Sequence, residues 1–174
     1  MSKSGLETWA LEYDEISGIV VGLFYKEADG DYSASYELLL KDGPDLFHLS
    51  LKDDDSITFS IIETLINVDK NKEVSIRPYD YEKDGKRKRG VNIKQGESRV
   101  PSDLREYNDG KWSYKNGYPV PEKDTFSNDK KRKLYSANVS IFMKEYFDFK
   151  LDGLFKSEQQ KPEPASHEVS DLPF

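Results

Sequence analysis

Arg77, Tyr79 and Tyr81 recur at alternate positions, and Lys83, Lys86, Arg87, Lys88 and Arg89 follow closely behind them. Val74 and Ile76 on one side of this cluster, and Val91 and Ile93 on the other, alternate as strand residues do. With those four turned to a core, period two puts Arg77, Tyr79 and Tyr81 on the outer face. Asn92 and Lys94 share that face across a hairpin, and Lys86 to Arg89 crown its turn. Aromatic rings interleaved with cations suit single-stranded nucleic acid, because the cations track phosphates while flat rings stack on any base. The alternative is a solvated hairpin with tyrosines filling ordinary strand positions. Five cations at one turn, offset nearby only by Glu82 and Asp84, favour the nucleic-acid reading.

A second cluster is Lys111-Trp112-Ser113-Tyr114-Lys115, where alternation puts Trp112 and Tyr114 on one face beside lysines. Exposed, it is another stacking platform; buried, it is an aromatic hairpin packed on the body, and both readings stand. Arg99 and Arg105 precede it and are placed to line the same groove. Lys130 to Lys133 are four consecutive cations where a last helix would begin, a place the helix dipole disfavours for positive charge. Phosphate contact or docking of an acidic tail would explain them, and a solvated helix face is the plainer reading.

Little supports catalysis. His48 lies in an apolar alternating strand and His167 in a polar tail, without partners for acid–base or metal work. No cysteine is present, which removes thiolate chemistry and thiolate-bound zinc. Pro44-Asp45 lacks the Glu-x-Lys that metal-dependent nucleases add, and no Gly-rich phosphate loop occurs. Asp53-Asp54-Asp55 and Asp80-x-Glu82 have ligands suited to Mg²⁺, although such acidic turns are usually just solvated.

The elements that must hold these residues follow from periodicity and turn signals. Ile16 to Tyr25, Tyr32 to Leu40 and Leu46 to Leu51 read as strands separated by Asp29-Gly30 and Lys41-Asp42-Gly43-Pro44. Ser56 to Val68 fits both periods, but Asp55 or Ser56 is a cap and the reading is a helix. Val74 to Tyr81 and Arg87 to Lys94 form a hairpin around Asp84-Gly85. Asn116-Gly117 suggests a further hairpin. Residues 128–149 alternate like a strand, yet Tyr135, Val139, Phe142, Tyr146 and Phe149 favour a helix. The order strand, strand, strand, helix, strand, strand predicts a mainly β chain with an OB-fold-like Greek-key barrel, an added hairpin and a C-terminal helix.

The 174 residues divide into a domain over 1–156 and a polar tail over 157–174 that lacks the apolar content to pack. The net charge of −7 argues weakly against nucleic acid, because the placement of cations matters more than their sum. No stretch reads as a signal or membrane segment, and with the missing cysteine this leads to the expectation of a cytoplasmic protein.

The tail ends in Asp171-Leu172-Pro173-Phe174. A terminal aromatic ring, an α-carboxylate and an acid on an extended segment make a peptide for an apolar pocket with a basic rim. This ending resembles the acidic tip with terminal Pro-Phe of bacterial and phage single-stranded-DNA-binding proteins (SSBs). The resemblance covers the tip; the OB-fold comes from strand order, and no longer motif is shared. It implies sequence-nonspecific coating of single-stranded DNA in replication, recombination and repair. Arg77, Lys86, Arg87, Lys88, Arg89 and Lys94 would meet phosphates, with Tyr79, Tyr81, Trp112 and Tyr114 on bases. Asp171, Leu172, Pro173 and Phe174 would recruit a polymerase, helicase, primase or nuclease. No cofactor is implied, and a homo-oligomer is compatible. Two rivals are a tail mimic that occupies host replication proteins without binding DNA, and a metal-dependent nuclease.

Overall fold

A computed structural model of the chain describes residues 14–155. The chain runs β1 (Ile16–Lys26), β2 (Ser35–Asp42), β3 (Asp45–Lys52), α1 (Ser56–Leu65), β4 (Val74–Lys83) and β5 (Lys86–Gln95). It continues through β6 (Ser98–Arg99), β7 (Arg105–Asn108), β8 (Lys111–Tyr114) and α2 (Asp129–Tyr146). A mainly β chain with a C-terminal helix is therefore observed. The principal sheet is antiparallel, in the order β3-β2-β1-β4-β5-β6, with β7-β8 a separate ribbon.

The expected closed barrel is not formed. Among the described residues the edges β3 and β6 do not pair, so the sheet stays open. The outer side of β5 is taken by the short β6, and β1 changes partners along its length. Ile16 to Gly18 pair with β4, whereas Ile19 onward pairs with β2 through an irregularity between Val20 and Gly22. Gly18 sits at the changeover, where an added Cβ would lie 2.9 Å from the Lys41 carbonyl oxygen, so a side chain would hold the two halves apart.

α1 begins at Asp55, whose carboxylate accepts from the Ile57 amide at 2.8 Å. It packs on β5 and buries Phe59, Ile61, Ile62 and Leu65 in the same core cluster as Leu38, Leu40, Val74, Ile76 and Ile93 of the sheet. α2 begins at Asn128, whose side chain accepts from the Lys131 amide at 3.1 Å. Val139, Met143 and Tyr146 face the core. The helix ends in a wide turn over Phe147–Leu151 whose Asp152 amide reaches back to the Phe147 carbonyl at 2.9 Å. That widening puts Phe147 and Leu151 in the core and leaves Phe149, expected on the inner face, 83% exposed.

The ribbon β7-β8 turns at Asp109-Gly110, and not at Asn116-Gly117 as expected. Both pairs hold positive φ. The difference is in the flanks: Asn116 donates to the Asp103 carbonyl at 2.8 Å and its carboxylate at 3.0 Å, redirecting the chain to bury Tyr118.

Candidate nucleic-acid interface

β4 and β5 pair Ser75 with Lys94, Arg77 with Asn92, Tyr79 with Gly90, Tyr81 with Lys88 and Lys83 with Lys86. Alternate pairs of an antiparallel ladder share a face, so Ser75, Arg77, Tyr79 and Tyr81 stand on one side with Lys94, Asn92 and Lys88. Beyond Ile76 and Val91 the two strands leave the core and continue as an exposed arm. Asp84 and Gly85 close its tip with φ of 54° and 67°, the left-handed pair that a tight hairpin requires.

This face holds a cleft of about 590 Å³ lined by Ser75, Arg77, Tyr79, Tyr81, Asn92 and Lys94, with Glu15 and Gly96 beside them. Four of the expected contact residues, Arg77, Tyr79, Tyr81 and Lys94, thus meet in one concavity. The two tyrosine rings lie 5.7 Å apart, tilted by 40°. Tyr81 is 52% exposed. Tyr79 is half-buried because its ring lies across Gly90, where a Cβ would come within 2.4 Å of the Tyr79 Oη. The absent side chain at position 90 is what lets the ring lie over the neighbouring strand. Lys88 stands opposite Tyr81, adding positive charge toward the tip.

Arg87 and Arg89 depart from the expected arrangement. They fall on the other side of the ladder, opposite Glu82 and Asp80. The Arg87 Nε donates to Asp80 at 2.8 Å and its Nη2 to the second carboxylate oxygen. Hydrogen bonding from Arg87 holds the Asp80 carboxyl below its usual range. The Arg89 Nη2 donates to Asp55 at 2.9 Å, tying the arm to the cap of α1. The cations of the tip are therefore divided, with Lys88 toward the tyrosines and both arginines engaged by acids. The backbone of Lys86 stands opposite that of Lys83.

A second cleft of about 540 Å³ runs beside β5 to the β7-β8 ribbon, and Tyr79, Arg89, Arg99, Tyr107, Trp112 and Lys115 line it. Tyr79 borders both clefts. Tyr107 and Trp112 are cross-strand partners with ring centroids 5.0 Å apart, and are 58% and 55% exposed. Tyr114 instead stacks on Tyr118 at 5.8 Å and is half-buried. The two readings of this ribbon thus divide between its residues: Trp112 is exposed, as a platform requires, and Tyr114 is a packing residue.

Arg105 fixes the ribbon. Its Nε and Nη2 donate to the two Glu63 carboxylate oxygens at 2.9 and 2.7 Å, and its Nη2 also reaches the Ser60 Oγ at 3.2 Å. The guanidinium lies 5.1 Å from the Tyr118 ring centroid and 5.7 Å from that of Trp112. Burial disfavours the charged guanidinium, but the buried Glu63 carboxylate outweighs it and the group stays charged. Arg105 is therefore consumed internally, while Arg99 remains exposed at the cleft. Tyr107 and Gly90 are the contributors that sequence reasoning overlooked. The signal was present for Tyr107, since the Asp109-Gly110 turn puts it opposite Trp112.

The other polar clusters are engaged in part. Lys131 pairs with Glu122 and Asp124 at 2.8 and 2.9 Å, and Arg132 with Asp129 at 2.8 Å. Asp53 accepts from the Tyr25 hydroxyl at 3.2 Å. His48 is not partnerless: its Nε2 lies 2.6 Å from a Glu37 carboxylate oxygen. Glu37 also accepts from Ser35 and Ser50 at 2.6 and 2.9 Å. Burial pushes the Glu37 carboxyl up, but these three hydrogen bonds prevail and hold it below its usual range. Among the described residues no three His, Asp or Glu side chains gather as a metal site, and no helix is long and apolar enough to cross a membrane. The tip Asp171-Leu172-Pro173-Phe174 and His167 lie outside the described residues. Comparison with protein families, with curated proteins and with solved structures finds no match to this chain.

Proposed function

We propose that the chain binds single-stranded DNA without sequence preference, along the β4-β5 arm. The observation that carries this reading is the paired Tyr79 and Tyr81 rings in one cleft with Arg77 and Lys94, with Lys88 on the same face. Bases stack on the rings while the cations follow the phosphates, and neither contact depends on base identity. The strand extends past Tyr79 to Trp112 and Tyr107, a second exposed aromatic pair beside Arg99. An open, OB-like arrangement is the fold that goes with this reading: β1 stands between β2 and β4, and α1 joins the third and fourth strands. In the same reading Phe174 and its neighbours recruit replication or repair enzymes, in the cytoplasm of a bacterial or phage-infected cell.

Titration of the full chain with fluorescein-labelled oligo(dT) at rising salt tests the proposal. Each phosphate contact to a single strand contributes about −0.7 to the slope of log K against log salt. Arg77, Lys88 and Lys94 together predict a slope of about −2. No binding at low salt would overturn the reading and leave a tail mimic as the better account. Mg²⁺-dependent shortening of the oligonucleotide would instead indicate a nuclease.

A further inference from the structure

The outer surface of α2 bears a pattern that solvent alone does not explain. Leu134 and Ile141 are 63% and 60% exposed, with Ala137 exposed between them. Seven residues advance an α-helix by about two turns, so Leu134 and Ile141 lie within about 20° of one line. Buried Val139, Met143 and Tyr146 occupy the opposite side. An amphipathic helix ordinarily shows a polar stripe there. Lys130 and Glu145 continue the stripe at its two ends, both exposed, and among the described residues neither has an ion-pair partner.

The spacing is symmetric about the bond between Ala137 and Asn138. Leu134 and Ile141 stand three residues out on either side, and Lys130 and Glu145 seven residues out. A two-fold axis through that point lays two α2 helices antiparallel. It sets Leu134 of one copy against Ile141 of the other, and Lys130 against Glu145, twice over. Ala137 and Asn138 are small where the helices approach most closely. Opposed helix dipoles favour the same orientation. Phe126, just before the helix, and Phe149, just after it, are also exposed.

We propose that a second copy of this chain docks here, forming an isologous antiparallel dimer through α2. Charge complementarity selects this occupant: the stripe is basic at one end and acidic at the other, so it matches its own reversed copy. The helix spans about 27 Å, so the seam is short and the dimer dissociates at low concentration. The proposal is independent of DNA binding and fails separately from it.

Sedimentation velocity of the full chain over a concentration series, without DNA, provides the test. The wild type passes from monomer to dimer. Lys130→Glu alone and Glu145→Lys alone each raise the dissociation constant by about ten-fold or more, and the two together restore it. Ile141→Glu abolishes the dimer with the melting temperature retained. Because the chain has no cysteine, mild oxidation of Ala137→Cys gives a covalent dimer, whereas Ser136→Cys, on a different line of the helix, does not. A wild type that stays monomeric throughout overturns the proposal. So does a dimer indifferent to Ile141→Glu, or one that the paired charge reversal fails to restore.

Discussion

Gly90→Ala separates stacking by Tyr79 from the general charge of the arm. A methyl group at position 90 would meet the Tyr79 Oη at 2.4 Å and its Cζ at 2.6 Å, so the ring must swing off β5. The backbone itself accommodates alanine, and strand entropy gains about 0.5–1 kcal/mol from the change. That gain offsets part of the lost ring contact, so the melting temperature moves by no more than about 4 °C. Binding behaves differently. One stacked base contributes roughly 1–3 kcal/mol, so a displaced ring weakens oligo(dT) affinity about 5- to 150-fold. The salt slope stays unchanged, because no phosphate contact is lost. Fluorescence anisotropy with labelled oligo(dT) reads both quantities. In a double-mutant cycle, Gly90→Ala on a Tyr79→Ala background has almost no further effect. Wild-type affinity for Gly90→Ala, or full additivity with Tyr79→Ala, would refute the assignment of the ring over Gly90 as a base platform.

Three further outcomes are expected. Lys88→Gln weakens oligo(dT) binding and lowers the salt slope by about 0.7, whereas Arg87→Gln and Arg89→Gln leave the slope nearly unchanged; anisotropy at four salt concentrations distinguishes them. Arg105→Met strands the buried Glu63 carboxylate and destabilises the fold by about 3 kcal/mol in urea unfolding, with Glu63→Gln/Arg105→Met recovering part of the loss. The Glu37 carboxyl titrates below its unfolded value, so its contribution is complete above the ordinary carboxylate range and is lost as pH falls through the depressed folded value. Glu37→Gln therefore lowers stability at neutral pH and flattens the acid limb of the melting-temperature profile.

Local chemistry was legible wherever the deciding atoms lie close in sequence. Asp55 caps the first helix, Asp84-Gly85 closes the long hairpin, and period two assembles Arg77, Tyr79, Tyr81 and Lys94. Long-range pairing was not. Arg89 and Asp55 lie 34 residues apart, and Arg105 and Glu63 42 apart, so nothing local marks those cations as already engaged. Asp80 was visible, but its diagonal contact with Arg87 depends on register. Openness of the sheet turns on whether β3 meets β5, strands more than 30 residues apart, and β5 pairs with β6 instead. Phe149 followed the helical period faithfully and still faces solvent, because one wide turn breaks that period.

Photo-crosslinking of the full chain to bromodeoxyuridine-substituted oligo(dT), followed by mass mapping of the adducts, tests the central claim most directly. Adducts on Tyr79 and Tyr81, with weaker labelling of Trp112 or Tyr107, are predicted, and high salt suppresses them. Adducts confined to surfaces away from the β4-β5 arm, or none under conditions that saturate a control binder, would contradict it.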